Sequence, residues 1–473
     1  MNIFYIASEC TPFIASGGLG DVMGALPKAV SESGHRVSVL LPFYKQLRIK
    51  DKSKLTLVKN LTFNLSWRTV GASVYMLDSG GVCYYFFENH YYFDRERLYG
   101  EFDDAERFAF FSRAVIEFIL TLDSPPDIIH ANDWQTALSV IYAKTEYKDF
   151  RKISGIRCVY TIHNLEYQGK YSPKSLGDVL GIMDSRRELL VYGGSLNLLA
   201  GALKCADFIT TVSPTYSEEL KYDFFGFGLS ELIKEVSYKT LGVINGIDYS
   251  YFSPTKDGDI YKTYSKKDAT SGKYENKMAL AEELSLTLCE KTPMISMITR
   301  LVEGKGVELV LHILEELLSE DLFLIILGTG DKKYEEAFID AAKRHGNLHV
   351  ILKFDRVLSK KIYAATDIFL MPSKSEPCGL SQMIATSYGA VPVVRSVGGL
   401  RDSIIPFPAK NANGFRFDNY NAHELLFKIK EALTLYKNGS AWRELCNSAM
   451  SSDFSWGVSA QKYISIYENI TKG

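Results

Sequence analysis

The sequence contains no C-x-x-C pair. Its seven cysteines, Cys10, Cys83, Cys158, Cys205, Cys289, Cys378 and Cys446, are scattered and odd in number. That pattern argues against a disulfide framework or a cysteine zinc site and favours reduced thiols in a cytosol. No H-E-x-x-H occurs and the eight histidines are dispersed, so no metal site and no cofactor is called for. A G-x-S-x-G elbow and a Walker A loop are both missing, so phosphate binding would rely on backbone N–H groups and cations. The longest apolar runs, such as residues 322–327, fall far short of the ~18 residues of a membrane span. The first residues, MNIFYIA, read as a buried strand without a basic lead, and so as no secretory signal. A cytoplasmic protein without a membrane partner is expected. Net charge is −2, which provides no electrostatic reason for binding nucleic acid.

What is present is an ordinary globular composition, 46% hydrophobic and 23% charged over 473 residues. That length suits two or three domains of the usual ~100–200 residues. The start reads as strand, glycine loop, helix and strand at residues 3–7, 17–20, 21–30 and 37–41, a βαβ unit. Further strands are expected at 82–87, 127–129, 158–162 and 208–212, with a helix at 105–122, and a parallel sheet is the economical reading. Residues 252–276 are polar, and the crossing between domains is placed from Asn245. A second α/β series follows, with strands at 294–298, 322–327, 348–352, 368–371 and 391–394 and helices at 307–318, 332–343, 360–366 and 380–388. The expected fold is α/β, with two doubly wound Rossmann-like domains facing across a cleft. The domains would be residues 1–244 and 245–456, followed by a terminal helix at 457–473.

Chemistry-bearing residues recur at strand ends, where an open α/β sheet binds ligands. In the second half, Thr299-Arg300-Leu301 leads to Lys305, and these two cations could hold a diphosphate and stabilise it as a leaving group. Gly328 and Gly330, Gly398 and Gly399, and Ser375-Glu376-Pro377-Cys378-Gly379-Leu380 follow neighbouring strands. Together they describe a nucleotide-diphosphate site. In the first half, Gly17-Gly18-Leu19-Gly20-Asp21 is a weak glycine motif without the dinucleotide-binding spacing. His130-Ala131-Asn132-Asp133-Trp134 and Thr161-Ile162-His163-Asn164 follow apolar strands. Asp133 and Trp134 in a cleft would suit a polyhydroxylated ring, with hydrogen bonds at its edge and stacking on its face. His163 is either a site residue or a hydrogen-bonded core histidine.

The segments GGLGDV, NDW, TIHNLEYQG, TTVSPTY, INGID, TRLVEGKG, EPCGL and GGLRD stand in the order seen in bacterial glycogen synthases and plant starch synthases, a family the whole chain resembles. The resemblance implies a GT-B glycosyltransferase whose last helix crosses back to the first domain. It implies transfer of glucose from ADP-glucose to the 4-hydroxyl at the non-reducing end of an α-1,4-glucan, glycogen, with retention of configuration. The first domain would serve the glucan and the second the nucleotide sugar. Arg300 and Lys305 would hold the donor diphosphate. Glu376 would stand beside the sugar, and His163 would hydrogen-bond it through side chain or backbone. Cys378, Gly379 and Leu380 would line the glucose pocket, while Gly17, Gly18, Asn245, Gly398 and Gly399 would approach the donor. Asp21, Asp133, Trp134 and Asn164 would contact acceptor or sugar.

The chain departs from the family at Ala15, where a lysine that reaches the donor phosphates is usual. Lys353-Phe354-Asp355-Arg356 replaces a segment close to the nucleotide base, and Ser375 and Gln135 replace a phenylalanine and a histidine. Three readings follow: an active glucan synthase, a catalytically impaired homologue that binds glucan or nucleotide in a regulatory or scaffolding role, or a glucan phosphorylase on the same architecture, which would require a lysine carrying pyridoxal phosphate. Glu376 and Lys305 are expected in an open cleft.

Overall fold

A computed structural model describes residues 1–472. They form two compact units, residues 1–246 with 456–472, and residues 247–455. Asn245, read as the first residue of the second domain, therefore belongs to the first unit.

The first unit is built on a nine-stranded sheet. Its spatial order is Thr240–Gly242, Phe208–Thr211, Arg157–Ile162, Ile128–Asn132, Asn2–Ile6, Arg36–Pro42, Val82–Glu88, Arg68–Ser79 and Thr56–Leu65. All pairings are parallel up to Val82–Glu88, and the last two strands form an antiparallel hairpin. The expectation of a purely parallel sheet is thus corrected at this edge. The hairpin turns at Ser66, whose φ of 56° is left-handed without a glycine or asparagine to announce it.

Helix Trp456–Lys472 packs Ala460, Tyr463, Ile464, Ile466 and Tyr467 into the core of this unit, beside Ile3, Tyr5 and Ile128. A buried polar chain runs through the contact. Tyr467 Oη pairs with Tyr5 Oη at 2.8 Å and with His130 Nδ1 at 2.7 Å. His130 Nε2 meets Thr161 Oγ1 at 2.5 Å, and Thr161 meets Thr210 at 2.5 Å. Buried hydroxyls and imidazoles need such partners, because an unmade bond leaves the desolvation cost standing. His130 is a structural residue here, and burial lowers its pKa to about 3.

The second unit has a wholly parallel sheet in the order Leu348–Ile351, Phe323–Leu327, Met294–Ile298, Ile368–Met371, Val391–Arg395 and Phe415–Phe417. In sequence order this is 3-2-1-4-5-6, the doubly wound arrangement whose ligand crevice lies between strands one and four. The polar stretch read as an inter-domain crossing ends in a helix, Ala269–Glu283. Its buried face carries Lys273, Asn276 and Lys277. Lys273 donates to the carbonyls of Ala364 and Tyr388 at 3.2 and 3.0 Å, and Lys277 pairs with Asp367 at 2.5 Å. A helix that buries paired cations lacks the apolar stripe by which helices are read. The helix expected at 307–318 is interrupted at Ile313, giving Val307–His312 and Leu314–Leu318.

Tyr467→Phe keeps the ring and removes the hydroxyl that joins Tyr5 to His130. Urea unfolding should show a loss of about 1–3 kcal/mol, the cost of leaving buried polar groups unpaired.

Candidate active site

At the switch point of the second unit, the loop after Met294–Ile298 meets the loop after Ile368–Met371. Lys305 Nζ is 2.7 Å from Glu376 Oε2, and Ser373 Oγ donates to the same oxygen at 3.0 Å. Glu376 is only 7% exposed and Lys305 is partly buried, which corrects the expectation that both stand in the open. Arg300 is exposed, and its guanidinium has no ion pair or side-chain hydrogen bond among the described residues. One cation is therefore engaged and the other is available.

The glycines here act mainly through close packing. Gly398 has φ 44°, and a Cβ on it would lie 2.0 Å from the Glu376 carbonyl oxygen. A Cβ on Gly399 would lie 2.1 Å from the Cys378 carbonyl oxygen, and the Gly399 N–H already donates to Glu376 O at 3.1 Å. These two glycines let helix Gly398–Ser403 press against the segment that carries Glu376. Cys378 is buried, Leu380 is half-buried, and Gly379 takes a left-handed φ of 71°. Gln382 Nε2 donates to the carbonyls of Cys378 and Gly379 at 3.1 and 3.0 Å and ties that turn to Ser403. Gly328 and Gly330 lie against the carbonyls of Thr299 and Leu301 in the same way, supporting the Arg300 loop.

In the first unit the loops after Asn2–Ile6, Ile128–Asn132 and Arg157–Ile162 come together. Glu9, 3% exposed, organises the glycine loop. Its carboxylate accepts from Ser16 N, from Ser16 Oγ at 2.7 Å, from Gly17 N at 3.3 Å and from Tyr99 Oη at 2.7 Å. Beside Gly17 and Gly18 an added Cβ would meet nothing within 4 Å, so this stretch of backbone faces open space. Ala15 is exposed on the same loop, and Asp21 sits in the first turn of the helix that follows, Gly18–Glu32.

Asp133 has φ 59°, a left-handed conformation uncommon for a residue with a Cβ and one that concentrates at functional sites. Its carboxylate accepts the His163 backbone N–H at 2.8 Å and that of Asn164. Burial pushes its pKa up to about 7, the two N–H donors oppose the rise, and the Glu9 carboxylate adds to it. His163 Nε2 lies 2.9 Å from Asn132 Oδ1, and burial lowers the imidazole to about 3. Asn164 Oδ1 accepts from Glu166 N at 3.0 Å. Asn245 is 5% exposed, and its Oδ1 has no partner among the described residues.

Trp134 is 9% exposed. Phe108 meets it edge-on at 5.2 Å, Tyr171 lies at 6.1 Å, and the Gly169 backbone presses on its six-membered ring. The reading of this indole as an open sugar-stacking face is corrected: the ring is packed among core residues.

Sequence reading missed Glu9, Tyr99, Asn132, Ser373 and Gln382 as shapers of the site. Glu9, Asn132 and Ser373 had a signal, their place beside strand ends. Among the described residues no group of three or more His, Cys, Asp or Glu could hold a metal ion, and no helix is long and apolar enough to cross a membrane.

Two doubly wound sheets with glycine or polar loops at their strand ends, and two cations at those of the second, define a glycosyltransferase of the GT-B class. Residues 2–235 match the starch synthase catalytic domain family, and residues 283–445 match glycosyl transferases group 1. The chain is 43% identical to a glycogen synthase of Alkaliphilus metalliredigens, across 99% of this chain and 100% of that one. It is 42% identical to a glycogen synthase of Bacillus cytotoxicus, across the full length of both. The catalytic domain of starch synthase IV from Arabidopsis thaliana, bound to ADP and acarbose, superposes with a TM-score of 0.91 at 33% identity, covering 100% of this chain and 99% of that one. Sucrose-phosphate synthase from Thermosynechococcus elongatus shares the fold, with a TM-score of 0.63 at 16% identity over 100% of this chain and 99% of that one. The chain belongs to the glycogen and starch synthase family.

Two consequences are measurable. Lys305→Ala leaves the buried Glu376 carboxylate with Ser373 but without its cation, and should lower unfolding stability by about 1–3 kcal/mol, whereas Arg300→Ala should leave stability within ~0.5 kcal/mol. Asp133→Asn removes a carboxylate whose folded pKa, about 7, exceeds its ordinary 3.8. A raised carboxylate pKa stabilises the fold only while the group is protonated, so the wild type loses stability between pH 4 and pH 7 relative to this variant. The stability difference between variant and wild type should therefore shift in the variant's favour on going from pH 4 to pH 8, by at most about 4.5 kcal/mol at about 1.4 kcal/mol per pH unit.

Proposed function

We propose that this protein is a glycogen synthase that transfers glucose from ADP-glucose to the 4-hydroxyl at the non-reducing end of an α-1,4-glucan, with retention at the anomeric carbon. The observation that carries the reading is the Arg300, Lys305 and Glu376 group at the switch point of a 3-2-1-4-5-6 sheet. ADP in the related starch synthase supports an adenosine diphosphate leaving group over other nucleotides.

As the C1–O bond lengthens, positive charge grows on the sugar ring and negative charge on the departing phosphate. Arg300, exposed and unpaired, and Lys305 answer the second charge, and their interaction strengthens as the phosphate leaves. Lys305 already lies against Glu376, so the carboxylate holds the ammonium in place. Glu376 in turn has Oε2 tied to Lys305 and Ser373, a setting for an orienting group rather than for a free nucleophile. Retention then follows if the leaving phosphate takes the acceptor proton on the face it departs from. Gly17 and Gly18 offer open backbone to the donor, and Asn245 offers an orphaned buried carbonyl oxygen to a hydroxyl. Asp21, Asp133 and Asn164 supply the polar edge for sugar hydroxyls, and Cys378, Gly379 and Leu380 the wall of the glucose pocket.

Ala15 favours a second reading, a homologue weakened in catalysis and kept for binding glucan or nucleotide. One charge-assisted hydrogen bond is worth about 1.5–3 kcal/mol, roughly ten- to a hundredfold in rate if felt in the transition state. The enzyme reading survives such a loss, because the cations of the second unit remain.

Incorporation of labelled glucose from ADP-glucose into precipitable glucan separates the two readings, and glucan binding without incorporation would refute the enzyme. ADP-glucose should exceed UDP-glucose in kcat/KM when both are measured side by side. Ala15→Lys should raise kcat/KM for ADP-glucose by roughly tenfold or more. An unchanged or lower value would show that the loop has been rebuilt around alanine.

A further inference from the structure

The side chain of Asn132 has one orientation open to it. It ends strand Ile128–Asn132 and is fully buried, with its backbone N–H and C=O both bonded to Thr136 Oγ1 at 2.7 and 2.8 Å. Its Nδ2 lies 3.2 Å from Ile6 O and 3.1 Å from His130 O. Both are carbonyl oxygens and can only accept, so the amide nitrogen must face them and Oδ1 must face His163 Nε2, 2.9 Å away. Turning the amide over would set an oxygen against two carbonyls. Because Oδ1 can only accept, the hydrogen of that contact belongs to His163 Nε2.

A neutral imidazole carries one N–H. With it on Nε2, Nδ1 is a bare acceptor, and Nδ1 has no hydrogen-bond partner among the described residues. Of the titratable groups near it, His130, buried and itself neutral, interacts with the ring, whereas Asp133 accepts from the His163 backbone. Burial keeps His163 neutral at ordinary pH.

We propose that Asn132 is a positioning residue that fixes His163 as its Nε2–H tautomer, so that Nδ1 accepts a hydrogen bond from a hydroxyl of the transferred sugar. The choice of sugar as ligand rests on the function proposed above; the tautomer does not. The chemical consequence is one of sign. An acceptor draws the hydroxyl hydrogen toward itself and leaves more electron density on the sugar oxygen, which suits a ring that is gaining positive charge. A donor or an imidazolium at the same place would oppose that charge. No proton is transferred and no covalent bond to His163 forms.

The test uses the full chain labelled with 15N at histidine, with the His163 signals assigned by their loss in His163→Gln. Two-bond proton–nitrogen correlations should show a neutral ring protonated at Nε2. A ring protonated at Nδ1, or an imidazolium at neutral pH, overturns the proposal. Asn132→Leu and Asn132→Asp both remove the two N–H donors to Ile6 and His130, but only Asp keeps an acceptor facing Nε2. In the Leu variant the Nδ1–H form should appear and kcat should fall roughly tenfold or more, with KM for ADP-glucose changing less than threefold. The Asp variant should keep Nε2–H and retain more activity than Leu, although a buried charge makes it the less stable of the two. Equal losses that track the folded fraction, with the tautomer unchanged, would show a purely structural asparagine. If the wild type incorporates no glucose at all, the function reading fails while the spectra still decide the tautomer.

Discussion

A carboxylate taken out of water has to be surrounded by donors, and in each unit the loops at the strand ends are folded around one. In the first unit Glu9 gathers Ser16, Gly17 and Tyr99, so the loop that opens helix Gly18–Glu32 takes its shape from an anion behind it. In the second, Glu376 gathers Lys305 and Ser373, while Gly398 and Gly399 let a neighbouring helix close on its backbone. The glycine pairs in the two units therefore do different work. Gly17 and Gly18 leave backbone open, whereas Gly398 and Gly399 allow two segments to touch.

In the second unit, a buried anion beside the loop proposed to hold a diphosphate makes the placement of cations decisive. The second unit supplies two, one already oriented by its carboxylate and one exposed. On the first unit's glycine loop Ala15 is exposed, next to Ser16, whose backbone N–H and hydroxyl the Glu9 carboxylate accepts.

Two imidazoles near the first-unit loops show how burial divides labour among like residues. Both are held neutral by desolvation. His130 has both ring nitrogens engaged, with Tyr467 and Thr161, and acts as a structural tie between the sheet and the helix Trp456–Lys472. His163 has one nitrogen engaged and one available. That single difference, set by Asn132, separates a core histidine from one that can meet a ligand.

Strand positions and the polar or glycine residues just beyond them could be read from the sequence, because a buried parallel strand is a short apolar run and ligands bind where such runs end. Arg300, Lys305, Glu376, Asp133 and His163 were all visible on that ground. The hairpin Thr56–Leu65 and Arg68–Ser79 was not, since the left-handed position of its turn is Ser66 rather than glycine or asparagine, nor was helix Ala269–Glu283, whose buried face carries two lysines and an asparagine. By itself, then, the sequence determined the succession of α/β units, the family and the chemical types placed at the strand ends. Tertiary structure alone decided that Trp134 is core, that Glu376 is buried and paired, that Glu9 and Ser373 hold the loops, and that Asn132 sets a histidine tautomer. Burial and partnership are properties of residues distant in sequence: Lys305 and Glu376, or Asn132 and His163, become neighbours only when parallel strands bring their ends together.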